Sequence, residues 1–191
     1  MPRISQMPFE LIDPELQKIM AEYDGELGGS EFVEVFAHSP QTFKAFINLY
    51  FPLISETRGG IDPRITELAR MMVAEKNDCR LCKAARFAHA QKRGVTEELV
   101  QEIPRWREST MLTPREKAAI HYAEVLAGDH KKADQALFDE LRKYFTEEDI
   151  IDLGWRIVIF VGYGRFLHVL DLDIGHTCPL SLPKQSALEH A

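Results

Sequence analysis

Apolar residues recur three and four positions apart along most of this chain, the spacing of one face of an α-helix. No run of alternating β-branched residues bounded by a tight turn interrupts that pattern, so strands are not expected. A polar, proline-containing lead-in runs to about Asp13, where Asp13-Pro14 pairs a cap with a first-turn proline and opens a helix to Tyr23. "DGELGG" reads as a loop, Ser30 to Ala37 as a short helix, and Ser39-Pro40 as the start of a helix with Phe43, Phe46, Ile47, Tyr50 and Phe51 on its apolar side. Asp62-Pro63 starts the next helix, through Glu75, with Ile65, Leu68, Ala69, Met72 and Val73 at core spacing. After Asn77-Asp78 a helix is expected from the cysteine pair to Arg93, stopped by Gly94. Thr96 caps a short helix, Thr113-Pro114 opens another that Gly128 ends, and two more cover Ala133 to Tyr144 and Thr146 to Leu170. The pattern predicts an all-α bundle: a lead-in and first helix over 1–29, one helical domain over 30–175, and an irregular tail over 176–191.

Composition narrows the class. The 191 residues are 45% hydrophobic and 28% charged, ordinary for a soluble globular domain, and the net charge of -7 argues against phosphate-backbone binding and against a polybasic membrane surface. The longest apolar run, "IIDLGWRIVIFVGYGRFLHVLDL", carries Asp152, Arg156, Arg165 and His168, so we read it as a buried helix rather than a membrane span. It is apolar almost all round, more than a monomer of this size can cover, and a homo-oligomer is the simple remedy. Three cysteines do not make a disulfide framework, and no apolar signal-peptide core leads the chain, so a reducing cytoplasm is the expected location.

The chemistry concentrates in "EKNDCRLCKAARFAHAQKRG". Cys79-x-x-Cys82 is open to three readings: a reversible redox pair, a metal clip, or two inert buried thiols. If Asp78 caps the helix, Cys79 lies in its first turn and Cys82 at its fourth position, where unpaired N–H groups and the helix dipole favour thiolate. On one continuous helix, Cys79, Cys82, Arg86 and His89 form a single polar stripe. Folding the preceding helix back antiparallel sets Glu67 about 15 Å from the turn, level with Arg86 and His89, and predicts a Glu67–Arg86 or Glu67–His89 contact; the bland alternative is a solvated surface Glu. His121 and His168, in apolar contexts, read as packed or hydrogen-bonded core residues. Structural zinc wants four ligands, and the only second pair is His176-x-Cys178, an unusual spacing, so no metal and no cofactor is expected.

From Ile61 to Glu98, "RITELARMMVAEKNDCRLCKAARFAHAQKRGVTEEL" resembles the carboxymuconolactone decarboxylase / AhpD-like alkylhydroperoxidase family. That family places a Glu twelve residues before the CxxC, as Glu67 stands before Cys79, and a His four residues after its second Cys. "FAHSPQTFKAFINLYFPL", "LTPREKAAIHYAEVLAGD" and "FTEEDIIDLGWRIVIFVGYGRF" resemble its flanking helices. The resemblance implies an AhpD-like helical bundle, obligately oligomeric as a trimer or hexamer. It also implies a peroxidase in which Cys82 attacks, Cys79 resolves, Glu67 helps relay protons, and a dithiol donor or reductase partner recycles the disulfide. The departure is Arg86, which stands where the family has its histidine. Arginine cannot accept a proton, though it can hold a thiolate or a carboxylate. His89 is a turn further on.

The function expected is therefore a cytoplasmic thiol oxidoreductase acting on a small-molecule peroxide: Cys82 and Cys79 carry the chemistry, Arg86 holds the thiolate, and Glu67 positions Arg86 or a water. The rivals are a decarboxylase-like lyase or hydrolase, with Arg86 anchoring a substrate carboxylate and His89 or Glu67 as acid/base, and a non-catalytic redox-sensing module.

Overall fold

The structure is a computed structural model that describes residues 2–26 and 31–172. Ten α-helices appear among the described residues: α1 (Pro14–Glu26), α2 (Glu31–Phe36), α3 (Pro40–Ser55), α4 (Pro63–Asn77), α5 (Arg80–Ala84), α6 (Ala88–Gln91), α7 (Glu97–Gln101), α8 (Pro114–Ala127), α9 (Gln135–Leu141) and α10 (Glu147–Val169). The only extended pairing described is an isolated bridge between Arg58 and Ile61. The all-α expectation holds. The tail over 176–191, with His176 and Cys178, lies outside the described residues.

Helix starts follow the punctuation read from the sequence. Asp62, Thr96, Thr113 and Thr146 each accept a backbone N–H three residues on, and Pro63 and Pro114 sit in first turns where a missing N–H costs nothing. Thr113 with Glu116, and Thr146 with Asp149, close full capping boxes. Gly94 takes the left-handed φ of +80° expected of a helix stop. In the turn before α4, Gly59 has φ +51°, and a Cβ there would lie 2.5 Å from the Asp149 carboxylate, which accepts the Gly60 N–H at 2.7 Å. That turn ties the entry of α4 to the N-terminus of α10.

α4 is the centre of the fold. It packs chiefly on α8 and α10, and residues 65–74 are buried without interruption. A helix covered on all sides must bury its polar residues too, and here these are Thr66, Glu67 and Arg70. A second, smaller apolar cluster joins α1, α2 and α3 through Leu16, Val33, Phe43 and Ile47. Arg156, on α10, is fully buried and bridges the three main layers: it donates to Asp152, to Thr66 Oγ1 and to the carbonyl of Leu53.

Three expectations are corrected. Asp78 does not cap the cysteine helix; it ends α4 in the left-handed region at φ 48°. The helix expected from Cys79 to Arg93 is two short helices parted by extended backbone at Ala85 and Phe87. His168 is exposed on α10 rather than packed, while His121 is half-buried beside Trp106.

Glu116 gives a pH signature. Burial raises its pKa, but the hydrogen bonds from Arg64 and from the Thr113 backbone outweigh burial and hold it below its ordinary 4.5. A depressed carboxyl contributes stability above its unfolded pKa and loses it as pH falls through the folded value. Wild type should therefore melt well above Glu116→Gln at neutral pH, with the gap closing below about pH 4.5 in thermal melts run as a pH series.

Candidate functional site

Cys79 and Cys82 form a disulfide, with Cα atoms 5.2 Å apart. Cys79 is the N-cap of α5, and its Sγ accepts the Cys82 N–H at 3.2 Å. Cys79 is 0% exposed, whereas Cys82 is partly exposed. α10 supplies the wall beside Cys82: a Cβ on Gly164 would lie 3.6 Å from Cys82 Sγ and 3.0 Å from Asn77 Nδ2. Glycine lets the α10 backbone approach that closely. Asn77 fastens the same junction, donating to the Val161 carbonyl at 3.2 Å and accepting from Arg165 at 3.0 Å.

Beneath the cysteine turn lies a buried ion pair that differs from the expected one. Glu67, 2% exposed, takes two 2.7 Å bonds from Arg70, 5% exposed. Arg70 reaches on to the turn, donating to the Cys82 carbonyl at 2.7 Å and the Ala85 carbonyl at 2.8 Å. Its burial pulls its pKa down, and Glu67 pulls it back further up, so it stays charged. The Glu67–Arg86 contact is thereby replaced by Glu67–Arg70. Arg86 turns to α7, where Nε and Nη2 bond Glu97 at 2.7 and 3.0 Å, and its Nη1 donates to the Lys83 and Ala85 carbonyls.

Together the two arginines explain why the helix breaks. In a continuous helix the carbonyls of Cys82 and Lys83 would accept amides four residues on. Here guanidinium groups take those carbonyls, and the backbone is free to run extended through 85–87. His89, on the far side of that break, stacks on Phe87 at 5.8 Å, and Arg70 lies over the Phe87 ring at 4.9 Å. Glu67 and His89 are thus joined to the cysteine turn through Arg70 and Phe87, not through one polar stripe.

Rings of α3 and α10 pack together in the core. Tyr50 stacks on Phe46 at 5.3 Å, and Tyr163, next to Gly164 in sequence, packs against both. Burial pushes the Tyr50 hydroxyl up to about 12, with Arg70 pulling it down and Glu67 pushing it up. Burial also raises Tyr163 well above its ordinary value, so both phenols stay neutral.

Arg70 is the residue that sequence reasoning missed. Glu67 and Arg70 stand three apart on one helix, the spacing of an ion pair, and that signal was available. Among the described residues no group of acidic, His and Cys side chains could hold a metal ion, and no helix is long and apolar enough to cross a membrane.

Fold and cysteine site together define a helical domain of CxxC type. Residues 40–125 match the model of the carboxymuconolactone decarboxylase family. An uncharacterized protein of Mycobacterium tuberculosis is 32% identical over 123 residues, covering 63% of this chain and 42% of that one; the chain spans less than half the length of that relative. The fold matches an AhpD-core, peroxidase-related protein from Ralstonia eutropha with a TM-score of 0.76 and 19% identity over 90% of each chain. It matches the debrominase Bmp8, solved with 2,3,4-tribromopyrrole, with a TM-score of 0.72 and 21% identity over 87% of each chain.

Proposed function

We propose that this chain is an AhpD-like thiol peroxidase. The observation that carries this reading is the asymmetry of the pair: a partly exposed Cys82 bonded to a fully covered Cys79 within one turn. Cys82 thiolate attacks one oxygen of the peroxide; the O–O bond breaks, the alcohol leaves with a proton, and Cys82 becomes a sulfenic acid. Cys79 then attacks that sulfur, water leaves, and the disulfide forms. A dithiol donor or reductase partner supplies two electrons and two protons to restore both thiols. The test is peroxide turnover with a dithiol reductant in wild type and Cys82→Ser; equal rates would sink the reading.

A second reading draws on the fold match to the debrominase Bmp8, solved with 2,3,4-tribromopyrrole. In the manner of the debrominase neighbour, the dithiol would donate two electrons to a halogenated aromatic. A carbon–bromine bond becomes carbon–hydrogen, bromide and a proton leave, and the same disulfide forms. Bromide release from a brominated pyrrole, without peroxide turnover, would select this reading.

We propose also that the domain works as a homo-oligomer. Ile151, Trp155, Val158, Phe166 and Val169 form an exposed apolar row along α10, and Trp155 is 63% exposed. A second copy of the chain is the occupant that a repeating apolar helix face fits best. Trp155→Glu is expected to lower the mass measured by light scattering without loss of helical signal; an unchanged mass would place the contact elsewhere.

A further inference from the structure

We propose that Arg70 is a positioning residue of the Cys79–Cys82 couple: by holding the Cys82 and Ala85 carbonyls, it keeps the reduced thiols in disulfide register and biases the couple toward the oxidised form. This rests on the reading that the couple cycles, though not on peroxide being its substrate.

α5 is only five residues long, too short to hold its own shape once the covalent bond between the cysteines opens. Its C-terminal carbonyls lack the amide partners a longer helix would supply. Arg70 Nη1 bonds the Cys82 carbonyl at 2.7 Å and Nη2 the Ala85 carbonyl at 2.8 Å, so one guanidinium spans the last turn. The guanidinium is itself fixed by two 2.7 Å bonds to Glu67, on the most buried helix of the fold. None of these four bonds involves sulfur, so all of them can persist after reduction. A turn held this way keeps Cys82 Sγ facing Cys79 Sγ and raises the effective concentration of one thiol at the other. Because Glu67 balances the charge of Arg70, the pair acts on geometry rather than by polarising the thiols.

The couple can be read against glutathione. One Cys79–Cys82 disulfide and two glutathione thiols exchange for two cysteine thiols and one glutathione disulfide, with two electrons and two protons conserved. Full-length wild type, Arg70→Lys and the apolar double variant Glu67→Leu/Arg70→Met would be equilibrated in glutathione buffers, acid-quenched, alkylated and weighed by mass spectrometry. The double variant leaves no buried charge unpaired, so it keeps the test open if a single variant fails to fold. Both variants are expected to favour the reduced form by about tenfold, which is about 30 mV for a two-electron couple. The pH profile of Cys82 alkylation should stay unchanged in the double variant. A folded double variant with the wild-type equilibrium constant would overturn the proposal. So would a wild-type constant in Arg70→Lys, or a shift in the alkylation profile large enough to account for the change, since each would make charge the agent. A couple that glutathione cannot cycle at all would overturn this proposal and the thiol chemistry together, whereas a cycling couple with no peroxide turnover would remove only the peroxidase.

Discussion

Cys82→Ser is expected to lose peroxide turnover by roughly a thousandfold or more, down to the background reaction of dithiol with peroxide. Serine at this position keeps the shape of the turn but not a nucleophile that ionises near neutral pH. Cys79→Ser should behave differently. It keeps the partly exposed Cys82, so one equivalent of peroxide is consumed and the reaction then stalls at the sulfenic acid, which dimedone traps and mass spectrometry counts. The asymmetry follows from burial. Cys79 is completely covered and its sulfur already accepts the Cys82 amide, whereas Cys82 is partly exposed. Stalling in Cys82→Ser and full loss in Cys79→Ser would reverse the roles assigned to the two sulfurs.

The largest effect on stability is expected at Glu67. Glu67→Ala leaves the Arg70 guanidinium buried without its counter-charge, a loss of about 3–5 kcal/mol for a pair this deeply covered. At about 2–4 °C per kcal/mol for a chain of this size, melting should fall by roughly 6–20 °C. The pair itself need not be worth that much. Desolvating two charges offsets most of their attraction, and Glu67→Leu/Arg70→Met should recover much of the loss. A double-mutant cycle on the melting midpoints separates the two statements: strong coupling is expected, and additive losses would show that the side chains act independently.

The helices were readable because their signals are local. Thr96, Thr113 and Thr146 cap within three residues of themselves, and the prolines at 63 and 114 need only their own turn. Residues 79–93 were misjudged for the opposite reason. Arg70, twelve residues before Cys82 and on another helix, takes the Cys82 carbonyl while Arg86 takes that of Lys83, and the reach of Arg70 is not written in residues 79–93. Counting residues along two antiparallel helices set Glu67 at a plausible height but could not say which cation it would choose. Arg70 shares its helix and its burial, while Arg86 has Glu97 within reach on α7.

By itself the sequence determined that the chain is helical, where most of its helices start, which two cysteines stand at redox spacing, and that Arg86 stands where the resembled family has a histidine. Those properties depend on neighbours a few positions apart, or on the identity of single residues. Only the tertiary structure decided that Arg70 holds the cysteine turn, that Cys79 is the covered sulfur, and that the rings of α3 and α10 pack together in the core. Each of these requires α3, α4, α5 and α10 to meet in space, and burial and donor geometry at such a meeting are set by packing across the whole core.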